Sequence, residues 1–461
     1  MRSSDLTPRT TSSIQTEFRK IVSDIPVPES IDAIKRLRSV EPRSMSGMPP
    51  IIWDQAYGFT IRDPYGNQWI DLSSGIVLAN VGHAHPRIVQ AIKNQLDAQL
   101  IFSYAYPSDQ RRQLLEELVK LAPPGLEKAI LFSAGTEATE CAISLMRKHG
   151  LRSAPEKLGI LSFESSYHGR TLAAKLAGGG SGLVDGMQRE ALLQYQLPAP
   201  DSAESRGFEA DLNERAIDPE RIAGIIFESI PGWTTTVYPQ EYIDALMLWA
   251  KRHGILVAAD EIQTGMGRTG RWFAFEHYGI TPDLICSGKG LTSSLPVSAV
   301  IGRSEIMDLA SPGEMSSTFG GNPVCLAAAL ANIQILHDEQ LVERSRVLGL
   351  ELGKRVADIT ERHKRFIKRV SGIGLFYSIH LKDPATDAPL AELCDEIAME
   401  CVRRGVMLFV TGRGFLKLVP PLMISSKALF EAVDVIGEVL DTMLPGTSSS
   451  KIVPLAEMPV T

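Results

Sequence analysis

The sequence predicts an α/β protein: a large domain with a mainly parallel sheet flanked by helices, followed by a smaller α+β domain. Three observations carry that reading. Apolar runs of strand length alternate with helix-period segments from Ala129 to Ile301, the repeating pattern of strand, helix, strand units. Two of these runs end abruptly in polar groups: Ile255-Leu256-Val257-Ala258-Ala259 stops at Asp260-Glu261, and Leu284-Ile285-Cys286 stops at Ser287-Gly288-Lys289-Gly290. Buried strands do this when they deliver side chains to the carboxyl edge of an open sheet. Beyond about Leu341 the character shifts to charged helices and scattered short strands. The expected division is an N-terminal arm and hairpin at 1–75 packing with the small domain, a large domain at 76–340, the small domain at 341–445 and a flexible tail at 446–461.

Composition narrows the function classes. With 461 residues, 44% hydrophobic, 22% charged and 7% aromatic, the chain has the make-up of a globular protein, neither disordered nor a repeat array. A net charge of −7 lacks the basic excess of a general nucleic-acid binder. The five cysteines, Cys141, Cys286, Cys325, Cys394 and Cys401, show no C-x-x-C pair and read as buried thiols in a reducing compartment, hence a cytoplasmic protein. The first thirty residues lack the apolar block of a secretory signal. No apolar run approaches the ~18 residues of a membrane helix.

Taken in order, the arm contains an amphipathic helix around Ile31 to Leu37. Gly58 to Asp63 and Gln68 to Leu72 form a hairpin about the turn residues Pro64-Tyr65-Gly66-Asn67. Gly82-His83-Ala84-His85-Pro86 enters a helix marked by Ile88, Ile92 and Leu96; the two histidines have no third ligand at a suitable spacing, so no metal is expected. A second helix through Leu114, Leu118 and Leu121 stops at Pro123-Pro124-Gly125. The strand Ala129 to Phe132 then runs through Ser133-Ala134-Gly135-Thr136 into a helix reaching Met146. That turn is either a phosphate cradle at a helix N-terminus or an ordinary cap. Strands follow at Ile160 to Phe163, ending at Tyr167-His168-Gly169-Arg170-Thr171, and at Ile222 to Phe227, ending in Glu228. Between them, Gly178 to Gly182 reads as flexible turn and 197–220 as polar, helical or irregular. Tyr242 to His253 is the crossover helix into the Asp260 strand, and Val297 to Ile301 is the strand beyond Lys289. The long apolar helix Cys325 to His337 follows Thr318-Phe319-Gly320-Gly321-Asn322-Pro323. The C-terminal part reads as a helix to His363, strands at Phe366 to Val370 and Leu375 to Leu381, a helix near Leu390 to Arg404, a strand at Val406 to Val410, the stretch Phe415 to Pro421, and a final helix to Leu444.

Several strand ends thus converge on one edge: Ser133 to Thr136, Tyr167-His168, Glu228, Asp260 and Lys289. A phosphate pocket, an aromatic plate, an acid and a lysine are together what pyridoxal 5'-phosphate requires. The lysine can form a Schiff base with the aldehyde, the acid can keep the pyridine nitrogen protonated, and the aromatic ring can stack on the cofactor.

From about Ile51 to its last helix the chain resembles the class III pyridoxal-phosphate aminotransferases, an ω-transaminase-like group with the aspartate aminotransferase fold (fold type I). Ala259 to Gly270 and Ser287 to Gly302 carry the resemblance most specifically, and Gly82 to Pro86, Ser133 to Ala138, Tyr167 to Thr171 and Thr318 to Pro323 fall in the family's order. The resemblance implies that Lys289 carries the cofactor and acts as general base, Asp260 faces the pyridine nitrogen, Gln263 lies by the phenolic oxygen and Gly135 and Thr136 cradle the phosphate. Tyr167 would stack on the ring, with His168 beside it in the cofactor site. Thr318 would reach the phosphate of a neighbouring subunit, which implies a homodimer with shared active sites and leaves a higher oligomer open.

The implied reaction moves an amino group from a small amine or ω-amino acid to a keto acid, pyruvate or 2-oxoglutarate. An alternative within the family is a racemase, decarboxylase or aminomutase; a non-catalytic binding protein is disfavoured by the presence of both Lys289 and Asp260. Two departures bear on the substrate. Glu228 is followed by Ser229-Ile230-Pro231-Gly232-Trp233 where many members have Pro and then a Gln-Gly pair, which leaves the shape of the pocket beside the cofactor open and makes Glu228 and Trp233 candidate substrate contacts. Lys417 stands where amino-acid-using members carry a carboxylate-gripping arginine, and an ammonium lacks the planar two-point grip of a guanidinium. Lys417 then either binds carboxylate in the arginine's place, yields that task to Arg413, or pairs with Glu228 when no carboxylate is bound.

Overall fold

A computed structural model describes residues 5–45, 47–179, 192–202, 204–410 and 412–444. Its centre is a seven-stranded sheet whose spatial order is Lys128–Phe132, Ser298–Gly302, Leu284–Ser287, Leu256–Asp260, Ile222–Glu228, Gly159–Phe163 and Gln194–Leu197. The central strands are buried along their whole length, which is why they read as unbroken apolar runs and not as alternating ones. Alternation persists as a choice between two covered faces. Ile226, Ala258 and Cys286 pack with Ala138, Cys141, Ala142 and Met146 of the helix Gly135–Leu151. Ile225, Phe227, Val257 and Ala259 pack on the other face with Tyr242, Leu246 and Trp249 of the helix Gln240–Arg252. The helix Gly135–Leu151 approaches so closely that a Cβ on Gly224 would stand 2.1 Å from Met146 Sδ.

All neighbouring strands in this sheet run parallel except Ser298–Gly302, which is antiparallel to both its neighbours. The expected mainly parallel sheet is present with that one reversal, which sequence could not reveal because a buried apolar run reads the same in either direction. The strand Gln194–Leu197 and the short helix Leu172–Ala177 were passed over in the reading of the sequence. Within 197–220 the polar stretch contains the helix Phe208–Glu214. The glycine-rich turn lies partly, and the tail at 446–461 wholly, outside the described residues.

The C-terminal part carries a four-stranded antiparallel sheet, Ile367–Ile373, Phe376–Leu381, Phe415–Leu418 and Phe409–Val410, with the helices Leu341–Arg362, Ala391–Arg403 and Ser426–Met443. The single strand expected at Val406 to Val410 is instead two. Val406–Met407 adds in parallel to the hairpin strand Gln68–Asp71, and Phe409–Val410 joins the C-terminal sheet. The break at Leu408 lets one stretch serve two sheets. The arm and hairpin are tied to this half by Trp69 Nε1 donating to Val402 O at 2.7 Å and by Arg19 Nε to Glu431 at 2.6 Å. No helix among the described residues is long and apolar enough to cross a membrane.

Arg268, fully buried, links the loop after the Asp260 strand to the segment that follows the hairpin and to the C-terminal part. Its guanidinium donates to Leu375 O at 3.1 Å, Asn80 Oδ1 at 2.7 Å, Ser74 Oγ at 3.3 Å and Pro420 O. Replacing it with methionine fills the space but strands buried acceptors. Arg268→Met is expected to lower the unfolding free energy by about 3 kcal/mol, the order expected for unsatisfied buried acceptors, measured by urea unfolding; an unchanged midpoint would show that this guanidinium links nothing.

Candidate active site

Register brings the acids together. Glu228 and Asp260, the last residues of adjacent parallel strands, are Cα partners, and both are almost completely buried. Two carboxylates side by side without solvent each need compensation. Glu228 obtains it from the N–H groups of Tyr167 and Gly232, both at 2.8 Å, and from Gln263 Nε2 at 3.3 Å. Burial still drives its carboxyl upward, with His168 pulling it down and Asp260 pushing it further up. Asp260 accepts from the Ile262 N–H at 3.1 Å and meets His168 Nδ1 at 2.7 Å. His168 is itself buried, fixed at its carbonyl by Thr139 Oγ1 at 2.7 Å, and its Nε2 has no partner among the described residues.

Lys289 opens the turn after the strand Leu284–Ser287, in the left-handed region at φ 43°, a conformation that a non-glycine residue holds only where its surroundings enforce it. Asn332, buried in the helix Pro323–Asp338, enforces it by donating to Gly290 O at 2.8 Å and Leu291 O at 3.0 Å. Gly290 must lack a side chain, since a Cβ there would lie 2.4 Å from Asn80 Nδ2. The Lys289 side chain is half-buried. Burial lowers its amine to about 8, against the opposing pull of Asp260 and Glu228.

The N-terminus of the helix Gly135–Leu151 faces the same place. The side chain of Ile262 lies within 2.9 Å of where a Gly135 Cβ would be and 3.6 Å of where a Gly288 Cβ would be, so the helix start, the Asp260 loop and the Lys289 turn share one wall. Glu137 caps the turn, accepting from the Ser133 and Ala134 N–H groups at 3.0 and 2.7 Å. Thr136 Oγ1 is 2.6 Å from Thr171 Oγ1. The first-turn N–H groups of Gly135 and Thr136 are left by helix geometry without intrahelical acceptors, at the positive end of the helix dipole.

On the opposite side, Tyr167 and Trp233 meet edge to face at 5.5 Å, and the Arg413 guanidinium lies 4.3 Å over the Trp233 ring. Lys417 is buried, with Nζ 3.4 Å from Gln263 Oε1 and 4.8 Å from the Phe376 ring centroid. The expected Lys417–Glu228 pair is not formed: the Gln263 amide stands between them, donating to Glu228 and accepting from Lys417. This placement depends on Gly232, whose Cβ would fall 1.9 Å from Gln263 Nε2.

Thus Gly135, Thr136, Tyr167, His168, Glu228, Trp233, Asp260, Gln263, Lys289, Arg413 and Lys417 are brought to one region. Thr318 stands apart: it is exposed in the turn before the helix Pro323–Asp338, next to Ser317, which donates to Glu137 at 3.1 Å. The histidines His83 and His85 are separated in purpose, one bonded to Asp71 at 2.7 Å and the other capping the helix Pro86–Asp97. Reading the sequence missed Asn332, Gly232, Phe376 and the bond from His168 to Asp260. A lone Asn in an apolar helix, Asn332, was the only one of these with a signal of its own, a polar group that burial obliges to find partners.

The family model for aminotransferase class III matches residues 42–440. The chain is 32% identical to the 4-aminobutyrate aminotransferase of Mycobacterium leprae, over 92% of this chain and 98% of that one. It is 32% identical to a 5-aminovalerate aminotransferase of Pseudomonas aeruginosa (89% and 98% covered) and 34% identical to a mitochondrial ornithine aminotransferase of Oryza sativa (86% and 82% covered). Among solved structures, an (S)-enantioselective omega-transaminase from Thermomicrobium roseum superimposes with a TM-score of 0.82 at 26% identity, covering 91% of this chain and 99% of that one. With a matching family model over most of its length and a strand-edge lysine, acid pair and helix N-terminus in one place, the chain belongs to the class III aminotransferases, a family dependent on pyridoxal 5'-phosphate.

Proposed function

We propose that this chain binds pyridoxal 5'-phosphate and transfers the terminal amino group of a small ω-amino acid or amine to a keto acid such as pyruvate or 2-oxoglutarate. The observation that carries the reading is the convergence on one strand edge of Lys289, the paired acids Glu228 and Asp260, and the start of the helix Gly135–Leu151. The residues suit the cofactor. The first-turn N–H groups of the helix Gly135–Leu151 are donors that suit a phosphate, and the buried Nε2 of His168, without a partner among the described residues, is a polar atom left for a further group. When bound, the cofactor supplies an aldehyde that condenses with amines and a ring that holds the electron pair left by a departing proton.

The protein's own residues do the rest. Gly135 and Thr136 would hold the phosphate and Tyr167 would cover the ring. Asp260, oriented by His168 and the Ile262 N–H, would present its carboxylate to the ring nitrogen. Lys289 would anchor the cofactor through its amine, and the same amine would move a proton at the donor carbon, a task for an amine that is neutral near the working pH. Glu228, Trp233, Arg413 and Lys417 line the side where substrate enters. The relatives named for 4-aminobutyrate, 5-aminovalerate and ornithine act on molecules with an amine at one end and a carboxylate at the other, which supports an ω-amino acid here. A homodimer fits the exposed Thr318 and its neighbour Phe319, whose ring lies edge-on to the exposed Phe102 at 6.0 Å; in this reading Thr318 completes the phosphate site of a second copy. Five unpaired thiols fit a reducing, cytoplasmic setting.

The direct test mixes the cofactor-loaded enzyme with ω-amino acids and amines one at a time and follows loss of the visible band of lysine-bound cofactor. A responding amine is expected, with sustained turnover only when a keto acid is added; steady turnover without keto acid would instead mark a racemase or decarboxylase. Lys289→Ala is expected to abolish that band and reduce transamination about a thousandfold or more, and a variant with undiminished turnover would remove Lys289 from the mechanism. Because its folded-state amine is lowered to about 8, the fraction able to attack an aldehyde rises about tenfold per pH unit below that value and levels off above it. Stopped-flow capture of the cofactor by the apoprotein should show this profile; a rise continuing to the ordinary lysine range would contradict it.

A further inference from the structure

The turn that carries Trp233 is held from two directions. On one side the Gly232 N–H donates to Glu228 at 2.8 Å. On the other the chain enters the left-handed region at Thr235, φ 53°, and the Thr235 N–H closes the turn by donating to Pro231 O at 2.8 Å. A β-branched residue takes that conformation only where its surroundings impose it. Here the surroundings belong to the C-terminal sheet. The strands Ile367–Ile373 and Phe376–Leu381 set Ser371 directly opposite Ser378, with His380 next along the same face. Ser378 Oγ lies 2.8 Å from Thr234 O, 2.7 Å from Thr235 Oγ1 and 2.8 Å from His380 Nε2. Ser371 Oγ also donates to Thr234 O, and the Ser371 carbonyl accepts from Thr235 Oγ1 at 2.8 Å. His380 Nε2 is 3.0 Å from Thr234 O, and its ring packs on Phe415 at 5.1 Å. Thr235 and Ser378 are fully buried, where such bonds are strong for lack of competing water. The Trp233 indole N–H, by contrast, has no partner among the described residues. Its ring is oriented by its backbone, by the Tyr167 ring at 5.5 Å and by the Arg413 guanidinium at 4.3 Å.

We propose that Ser371, Ser378 and His380, by gripping the left-handed turn at Thr235, position Trp233 as a rigid wall that sets which amine donors the site accepts. The inference rests on the aminotransferase reading and names residues behind the pocket that fix its shape. They are positioning residues, acting through the Thr234 carbonyl and the Thr235 hydroxyl. Without the grip, Thr235 relaxes toward ordinary backbone angles, which rotates the peptide after Trp233 and frees the indole. A fixed wall separates donors by shape, since a difference of one methylene in a packed pocket changes rates by about 10- to 200-fold. This wall favours a slender, unbranched ω-amino acid over an amine with a ring beside its nitrogen-bearing carbon. The grip comes from the C-terminal sheet, while Gly232 is tied to Glu228 at the end of a large-sheet strand, so the place of the wall follows how the two sheets are set against each other.

The test uses Ser378→Ala, with Ser371→Ala carrying it should the first variant not fold. The cofactor-loaded enzyme is labelled with 5-fluorotryptophan, which gives one fluorine resonance for each of the five tryptophans, and Trp233→Phe identifies the one from Trp233. In the serine variant that resonance is expected to shift or broaden while the other four stay in place. In the half-reaction, KM for 5-aminovalerate should rise about tenfold with kcat within about twofold, and the preference for 5-aminovalerate over 1-phenylethylamine should fall about tenfold. The band of lysine-bound cofactor should not change. In Trp233→Phe the preference is already lost, and adding Ser378→Ala should alter it no further, the non-additivity expected of residues that act through one group. An unmoved Trp233 resonance, an unaltered donor preference, or effects that add in the double variant would overturn the proposal. Failure of the wild type to convert any amine would instead remove the aminotransferase reading, which the fluorine spectrum, independent of turnover, keeps separate.

Discussion

Two carboxylates, Glu228 and Asp260, are forced next to each other at the buried edge of a parallel sheet by strand register, and the surroundings of the site are arranged to make that tolerable. Backbone N–H groups from Tyr167 and Gly232 converge on one and an imidazole and the Ile262 N–H on the other. Each of those donors comes from a loop leaving a strand end, so satisfying the acids also determines where the loops lie. The Tyr167-His168 loop is drawn across the edge, where the Tyr167 ring meets Trp233 edge to face at 5.5 Å.

The same pair of acids acts on the lysine. An amine half-buried beside them would lose its proton easily through desolvation alone; the acids hold it back, and the balance settles at about 8. The amine is thus kept near its titration point without an ion pair that would lock it in the charged form. Its strained turn is maintained by Asn332 at a distance from the reacting end of the side chain, so the geometry of the backbone and the chemistry of the amine are controlled by different residues.

The surroundings of Lys417 are built from elements of both halves of the chain. Arg268 and Gln263 leave the Asp260 loop in succession: one binds carbonyls of the C-terminal half, the other spans Glu228 and Lys417. Any shift of the C-terminal sheet against the large sheet would therefore change the Lys417 environment directly.

Most strands, the long helices and the chemical groups at the strand ends were legible in the sequence, because a buried apolar run and the turn that follows it are local features. Asp260, Glu228 and Lys289 could be placed on one edge from their positions after such runs. The reversed strand Ser298–Gly302 was not legible, since direction leaves no mark on a buried run, nor was the division of Val406 to Val410 between two sheets. Partnerships were likewise undetermined: His168 meets Asp260 across 92 positions and Lys417 meets Gln263 across 154, and local spacing says nothing about such pairs. The sequence by itself thus determined which groups the site contains, through the order of its strand ends. Only the tertiary structure decided which group compensates which, because buried charges take their partners from whatever the packing of distant elements brings within hydrogen-bond reach.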